Sequence, residues 1–242
     1  MKRNRLFIRV TILLLITSLY SCRILYVPNA VHAPMLTEKN EFNGSVLVGS
    51  SGLDIEAAFS PGKNWGIMVD GSFYNSSANA EDADITSNHK HLFGEIGAGY
   101  HTTFGGIGRF DVYGGGGLGT SSTTNRWFRS FGGTSEGNYN RFFMQPSVGI
   151  GTDYADVNLA TRISYLSFND IYNSNRTFYH TRAFFWEPAL TARAGYKWVK
   201  YFVQIGFSVP LDTYFDIQYQ PFMFSTGINL NFGKWKAAGI QK

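Results

Sequence analysis

From Phe42 onward, apolar or aromatic residues fall on every second position in about ten segments. Leu53, Ile55, Ala57 and Phe59 alternate with Asp54, Glu56, Ala58 and Ser60, and Trp65, Ile67, Val69 and Phe73 alternate with Gly66, Met68, Asp70 and Ser72. The same period runs through Val157 to Tyr165, Tyr201 to Val209 and Phe222 to Phe232. A period of two is that of a β-strand with two unlike faces, so each segment predicts a strand. No helical period competes with it in this part of the chain.

The connections predict how the strands are arranged. Ser50–Gly52, Ser60–Asn64, Gly105–Gly108, Asp153–Asp156 and the Val199-Lys200 junction read as tight turns. Longer polar loops are expected near residues 75–89, 122–138, 169–182 and 210–221. After the first link, short and long connections alternate, as they do in outer-membrane barrels. Aromatics collect at both ends of the strands: Phe59, Trp65, Phe104, Phe110, Trp198, Tyr201 and Phe232 by the short turns, and Phe73, Phe142, Tyr165, Trp186 and Phe224 at the other end. Eight steps from Trp65 to Phe73, tilted about 40°, rise about 20 Å, close to the apolar band of such barrels at about 25 Å. Backbone groups in hydrocarbon need partners, so the sheet must close. The expected fold is all-β, a closed antiparallel transmembrane β-barrel over residues 42–233, of about ten strands with eight as the alternative. Pro146 and Pro188 fall mid-strand, where bulges are expected.

Composition narrows the class. The 242 residues are 44% hydrophobic, 17% aromatic and 16% charged, with 27 Gly and a mean hydropathy of −0.13. That argues against a disordered chain, a charged helical bundle and a polytopic helical membrane protein. At the start, Lys2, Arg3, Arg5 and Arg9 border an apolar run from Val10 to Leu19 that ends in Ser21-Cys22. This is the layout of a cleaved signal peptide, expected over residues 1–21. Cys22, the one cysteine, is then the expected lipidation site. Residues 22–41 are expected as a lipid-anchored periplasmic tether and residues 234–242 as a periplasmic tail. Removing the four basic residues of the signal from 21 leaves 17 Lys+Arg against 17 Asp+Glu. A neutral mature chain lacks the electrostatic footprint of nucleic-acid binding.

The lipobox-like Leu19–Cys22, the Tyr26-Val27-Pro28-Asn29 stretch and the aromatic-ended strands resemble small β-barrel lipoproteins of the Bacteroidota outer membrane, with barrel architecture like that of OmpA and OmpX. Tyr20 departs from the small residue usual in a lipobox. The resemblance covers essentially the whole mature chain and implies a Gram-negative outer-membrane location, a palmitate-type acyl anchor and no established enzymatic role.

Candidates for chemistry are few. Gly114 to Gly119 spells G-x-G-x-x-G but sits within an alternating strand with no helix after it, so no nucleotide cofactor is expected. The glycines are read instead as room for bulky neighbours. His89 and His91, with Asp82, Asp84, Asp170 and His180, are expected at the rim, where histidine and carboxylate resemble the omptin proteases. Spacing alone fixes neither a catalytic pair nor a metal site there, so an enzyme is a distant alternative. By parity Asp54, Glu56, Asp70, Glu95, Arg109, Asp111, Arg162, Glu187, Arg193 and Lys197 point into the lumen. They are expected to pair across it as a salt-bridged plug, with a narrow diffusion channel as the alternative. Trp127, Phe128, Phe131, Tyr139, Tyr172, Phe178 and Tyr179 are loop aromatics and candidates for interaction. The expected role is non-enzymatic, with no cofactor. The expected partners are outer-membrane lipids and another outer-membrane protein complex.

Overall fold

The computed structural model describes residues 24–80, 85–127, 131–173, 176–179, 181–196, 198–212 and 217–233. Ten long strands carry the fold: β1 (Phe42–Gly49), β2 (Gly52–Phe59), β3 (Trp65–Ala80), β4 (Ile85–Phe104), β5 (Gly108–Trp127), β6 (Phe131–Gly151), β7 (Ala155–Asn173), β9 (Arg182–Tyr196), β10 (Val199–Phe207) and β12 (Phe222–Asn231). Two short strands, β8 (Arg176–Tyr179) and β11 (Val209–Pro210), extend β7 and β9 at their edges. Each long strand pairs antiparallel with its neighbours, β7 pairs with β9, and β12 returns to β1 from Asn43↔Asn231 to Gly49↔Ser225. The result is a closed ten-strand antiparallel barrel of outer-membrane type.

Alternation sends the apolar set outward. Val69, Ile96 and Leu159 are each more than half exposed, while Asp54, Asp70, Arg162 and Glu187 are buried. This inside-out distribution suits a barrel whose outer face meets lipid. Each girdle residue named above lies on that outer face, Trp65 the most open of them at 62%. Aromatic neighbours pair around the ring, as Trp65 does with Tyr100 and Trp198 with Phe232.

One end of the barrel carries the short links β2–β3, β4–β5, β6–β7 and β9–β10, and is here called the turn end. The β9–β10 turn is set by the pair Tyr196↔Val199, two residues earlier than the expected junction. The opposite, hairpin end differs from expectation. Much of the segments read as polar loops at 75–89, 122–138 and 169–182 is strand: β3 and β4 stay paired to Ala80↔Ile85, and β5 and β6 to Trp127↔Phe131. Polar side chains hold these extensions across the ladder, as in Ser87 to Asn125 (2.8 Å) and Thr124 with Thr134 (3.1 Å). Lacking an apolar face, such a ladder is polar on both sides and reads from sequence as a loop.

Neither expected proline bulge forms. The β6–β7 register runs from Met144↔Ile163 to Ser147↔Ala160 without a shift, and Pro188 pairs in register with Thr161. A proline removes one donor without adding a residue, so the ladder skips a bond and keeps its phase. The β10 side breaks at Gly206↔Ala189 and resumes in phase at Val209↔Trp186. The register shift lies instead between Gly137 and Tyr139, where Gly137↔Ile171 is followed by Tyr139↔Phe168.

The largest departure concerns the segment before β1. Residues 24–36, expected as part of a periplasmic tether outside the barrel, run through its lumen. Leu25, Tyr26, Val31 and Leu36 are each at most 4% exposed. The expectation missed this because an extended segment carrying Pro28 and Pro34 has neither strand nor helix period, and so reads as a linker.

Candidate functional site: a lumen filled by the N-terminal segment

The segment enters the lumen at the turn end. Glu41 holds the bend there, its Oε2 accepting from the backbone N–H of Thr37 (2.6 Å) and Glu38 (3.0 Å) and from Thr37 Oγ1 (2.9 Å). Its Oε1 accepts from Asn231 Nδ2 at 2.6 Å, tying the bend to β12. Met35 and Asn40 take positive φ, 55° and 62°, where the chain reverses; non-glycine residues rarely adopt such angles without tertiary support.

Above the bend the segment is extended and pairs with no strand, apart from one bridge between Tyr26 and Tyr219. Its buried backbone groups still need partners, and wall side chains provide them. Gln204 accepts from the Val31 N–H (2.8 Å) and donates to the Val31 carbonyl (2.9 Å). Gln145 donates to the His32 carbonyl (2.6 Å), Arg193 to that of Ala33 (2.9 Å), and Asp111 accepts from the Met35 N–H (3.3 Å).

Polar side chains bond to the wall at every third residue, the spacing of polyproline II, while Ala30, Val31 and Leu36 pack against its apolar residues. Tyr26 Oη donates to Glu187 Oε1 at 2.6 Å, and His32 Nδ1 pairs with Asp70 Oδ1 at 2.6 Å. Between them, Asn29 sits at the middle of a charge network. Its Oδ1 accepts from Arg141 Nη2 (2.6 Å) and Arg162 Nη2 (3.3 Å), and its Nδ2 donates to Glu95 (3.3 Å). Around it, Arg141 pairs with Glu95 (2.6 Å), and Arg162 with Glu187 (2.8 Å) and Glu95 (3.4 Å), all fully buried. Arg141 also lies 4.1 Å from the centroid of the Phe93 ring. Nearer the turn end, Asp156 holds both Arg193 (2.6 Å) and Lys200 (2.7 Å).

Of the charges read from parity, Glu95, Arg162, Glu187 and Arg193 form ion pairs with wall residues and Asp70 pairs with His32 of the segment, whereas Asp54 and Asp111 accept from the segment's backbone. Asp54, Glu56, Asp70, Glu95, Asp111, Arg162, Glu187 and Arg193 are all buried there. Arg109 is half-buried near the turn-end mouth, where it donates to the Gly151 carbonyl, and Lys197 lies outside the described residues. Sequence reasoning missed Arg141, His32, Asn29 and Gln204. Arg141 was legible, because it shares parity with the inward Phe143 and Gln145. The partners on the segment were not, because nothing local places a linker inside a barrel.

Above the network lies an apolar layer of Leu25, Tyr26, Phe93, Tyr139, Phe168 and Phe185. Tyr139, read as a loop aromatic, is buried here, with Tyr26 and Phe93 each 5.8 Å away. The glycine run opposite makes room for a ring and for backbone: a Cβ on Gly119 would lie 2.2 Å from Tyr139, and one on Gly115 2.2 Å from the Ile96 carbonyl oxygen.

At the hairpin rim, His91 Nε2 bonds Tyr139 Oη (3.0 Å) and His89 packs on Tyr74. Among the described residues no group of three His, Cys, Asp or Glu could hold a metal. Asp82, Asp84 and His180 lie outside the described residues, as does the side chain of Asp170. Of the loop aromatics, Tyr172 is exposed. Trp127, Phe131, Phe178 and Tyr179 stand on paired backbone, with their side chains outside the described residues, as Phe128 is altogether. Cys22 and residues 234–242 also lie outside them.

No family model matches the chain, and neither does any curated protein. Among solved structures it is similar to the translocator domain of the autotransporter NalP from Neisseria meningitidis, at 9% identity and a TM-score of 0.48, covering 80% of this chain and 86% of that one.

Proposed function

We propose that the chain is a lipid-anchored outer-membrane barrel that neither catalyses a reaction nor conducts, and that acts by holding a partner protein or by presenting its hairpins outside the cell. The observation that carries this reading is the position of Asn29. It bridges Arg141, Arg162 and Glu95 at mid-lumen, on a segment whose described residues from Leu25 to Leu36 are all buried. A path for ions through that layer would require breaking several buried charge-assisted bonds, each worth about 1.5–3 kcal/mol. Short turns on the periplasmic side and longer hairpins outside follow the usual orientation of such barrels. The acyl anchor on Cys22, the signal peptide over 1–21 and the kinship with Bacteroidota lipoproteins rest on the sequence features described above.

Planar-bilayer recording of the full chain tests the closed lumen. Flat traces are expected, and regular conductance steps from the wild-type protein would establish the channel reading instead. Native mass after gentle extraction tests the partner role. A mass well above one barrel plus detergent is expected, and a lone barrel would shift the role to the hairpins.

A further inference from the structure

The inserted segment has a direction, and the contacts at its two ends fix it. Near the turn end, the Met35 N–H donates to Asp111. Toward the hairpin end, the Ile24 carbonyl accepts from Thr123 Oγ1 at 2.9 Å, and the Leu25 N–H donates to the Gln218 carbonyl at 2.9 Å. Asp111 and Thr123 are twelve positions apart on β5. At about 3.3 Å per residue and a tilt of about 40°, that is about 30 Å along the barrel axis, the thickness of a hydrocarbon core. Eleven residues at about 3.1 Å each cover about 34 Å, so the extended segment makes this crossing once, with no length left to return. Cys22 is two residues before Ile24, and two residues reach at most about 7 Å. That is far less than the crossing.

We infer that the barrel holds its own N-terminal end on the hairpin side of the membrane, opposite to the periplasmic position that the sequence suggests. An acyl chain on Cys22 then enters the outer leaflet, making this a surface-anchored lipoprotein whose anchor strap passes through its own pore. The wall is lowest along β1 and β2. β1 and β2 meet in the two-residue turn Ser50-Ser51, whereas β3 to β7 are 16 to 21 residues long. Outside that low wall, Val48, Leu53 and Phe224 present an apolar face for acyl chains. The leaflet assignment rests on the lipidation proposed above; the topology does not.

The test uses the full chain in intact Gram-negative cells. Ile24→Cys is labelled with a membrane-impermeant maleimide, beside Asn75→Cys on a hairpin strand and Gly62→Cys in a turn. In a parallel strain, an epitope between Arg23 and Ile24 is probed with antibody. The inference expects Ile24→Cys and the epitope to react on intact cells as Asn75→Cys does, with Gly62→Cys silent until the outer membrane is opened. Reaction only after opening, alongside Gly62→Cys, overturns it. If Cys22 is not acylated its free thiol labels in every variant, so the maleimide arm is then read in a Cys22→Ser background, and the epitope reads the topology in either case. Incorporation of radiolabelled palmitate into the same protein, or its loss in Cys22→Ser, reads lipidation separately.

Discussion

Tyr26 and Glu187, 161 positions apart in the chain, meet in a 2.6 Å hydrogen bond inside the barrel. The tyrosine belongs to a segment that forms no strand, and the glutamate to the wall strand β9. Glu187 also accepts from Arg162 and Ser164, so the hydroxyl completes a carboxylate that is already charged and paired. Tyr26→Phe is expected to lower barrel stability by about 1.5–3 kcal/mol, the range for a bond to a charged group. Urea unfolding in vesicles, followed by the gel-mobility difference between folded and unfolded barrels, measures it.

Glu95 is the carboxylate shared by Arg141 and Arg162. Glu95→Gln leaves buried guanidinium charge poorly compensated, and a loss of about 3–5 kcal/mol is expected. Pairing it with Arg141→Met should recover a measurable part of that loss, because the charge is removed together with its partner. A double-mutant cycle on the same unfolding assay reads the coupling.

Two identical substitutions should have opposite signs. Gly119→Ala puts a methyl group 2.2 Å from the Tyr139 ring, and a loss of about 1–3 kcal/mol is expected from overpacking. Gly71→Ala meets nothing nearer than 3.9 Å, so the reduced freedom of the unfolded chain should leave it neutral or more stable by up to about 1 kcal/mol. Combining Gly119→Ala with Tyr139→Leu should restore much of the first loss.

Depth in the membrane can be read from one strand. Val69 lies midway between the girdle residues Trp65 and Phe73 and is 53% exposed on the lipid side. Val69→Arg is expected to cost about 2–4 kcal/mol in vesicles, and Arg at the ring position Trp65 about 0–1 kcal/mol from charge alone. Equal costs at the two positions would contradict the depth assignment.

The barrel wall was legible because lipid outside and charge inside impose a period of two that every long strand repeats. Val69 beside Asp70 and Leu159 beside Asn158 each declare both faces at once. The hairpin extensions were less legible, since Ser87, Thr124 and Thr134 lie in ladders with no apolar side. The lumen was legible only by halves. Glu95 and Arg162 could be placed by parity, whereas Asn29 and His32 could not. Their positions come from wall side chains satisfying an extended backbone, an arrangement with no local period. The prolines misled for a related reason: Pro146 and Pro188 mark missing donors, and a missing donor does not require an extra residue.

The segment that fills the lumen also constrains the order of assembly. It bonds to side chains on β2, β3, β4, β5, β6, β7, β9 and β10. The seam between β1 and β12, stitched by Asn229 to Asn43 and Ser45, joins the two ends of the sheet. Until that seam forms, the sheet is an open trough in which residues 24–36 can lie; once it forms, they are enclosed. The enclosure of the strap therefore depends on both ends of the sheet, with β1 and β12 closing the wall around residues that precede them both.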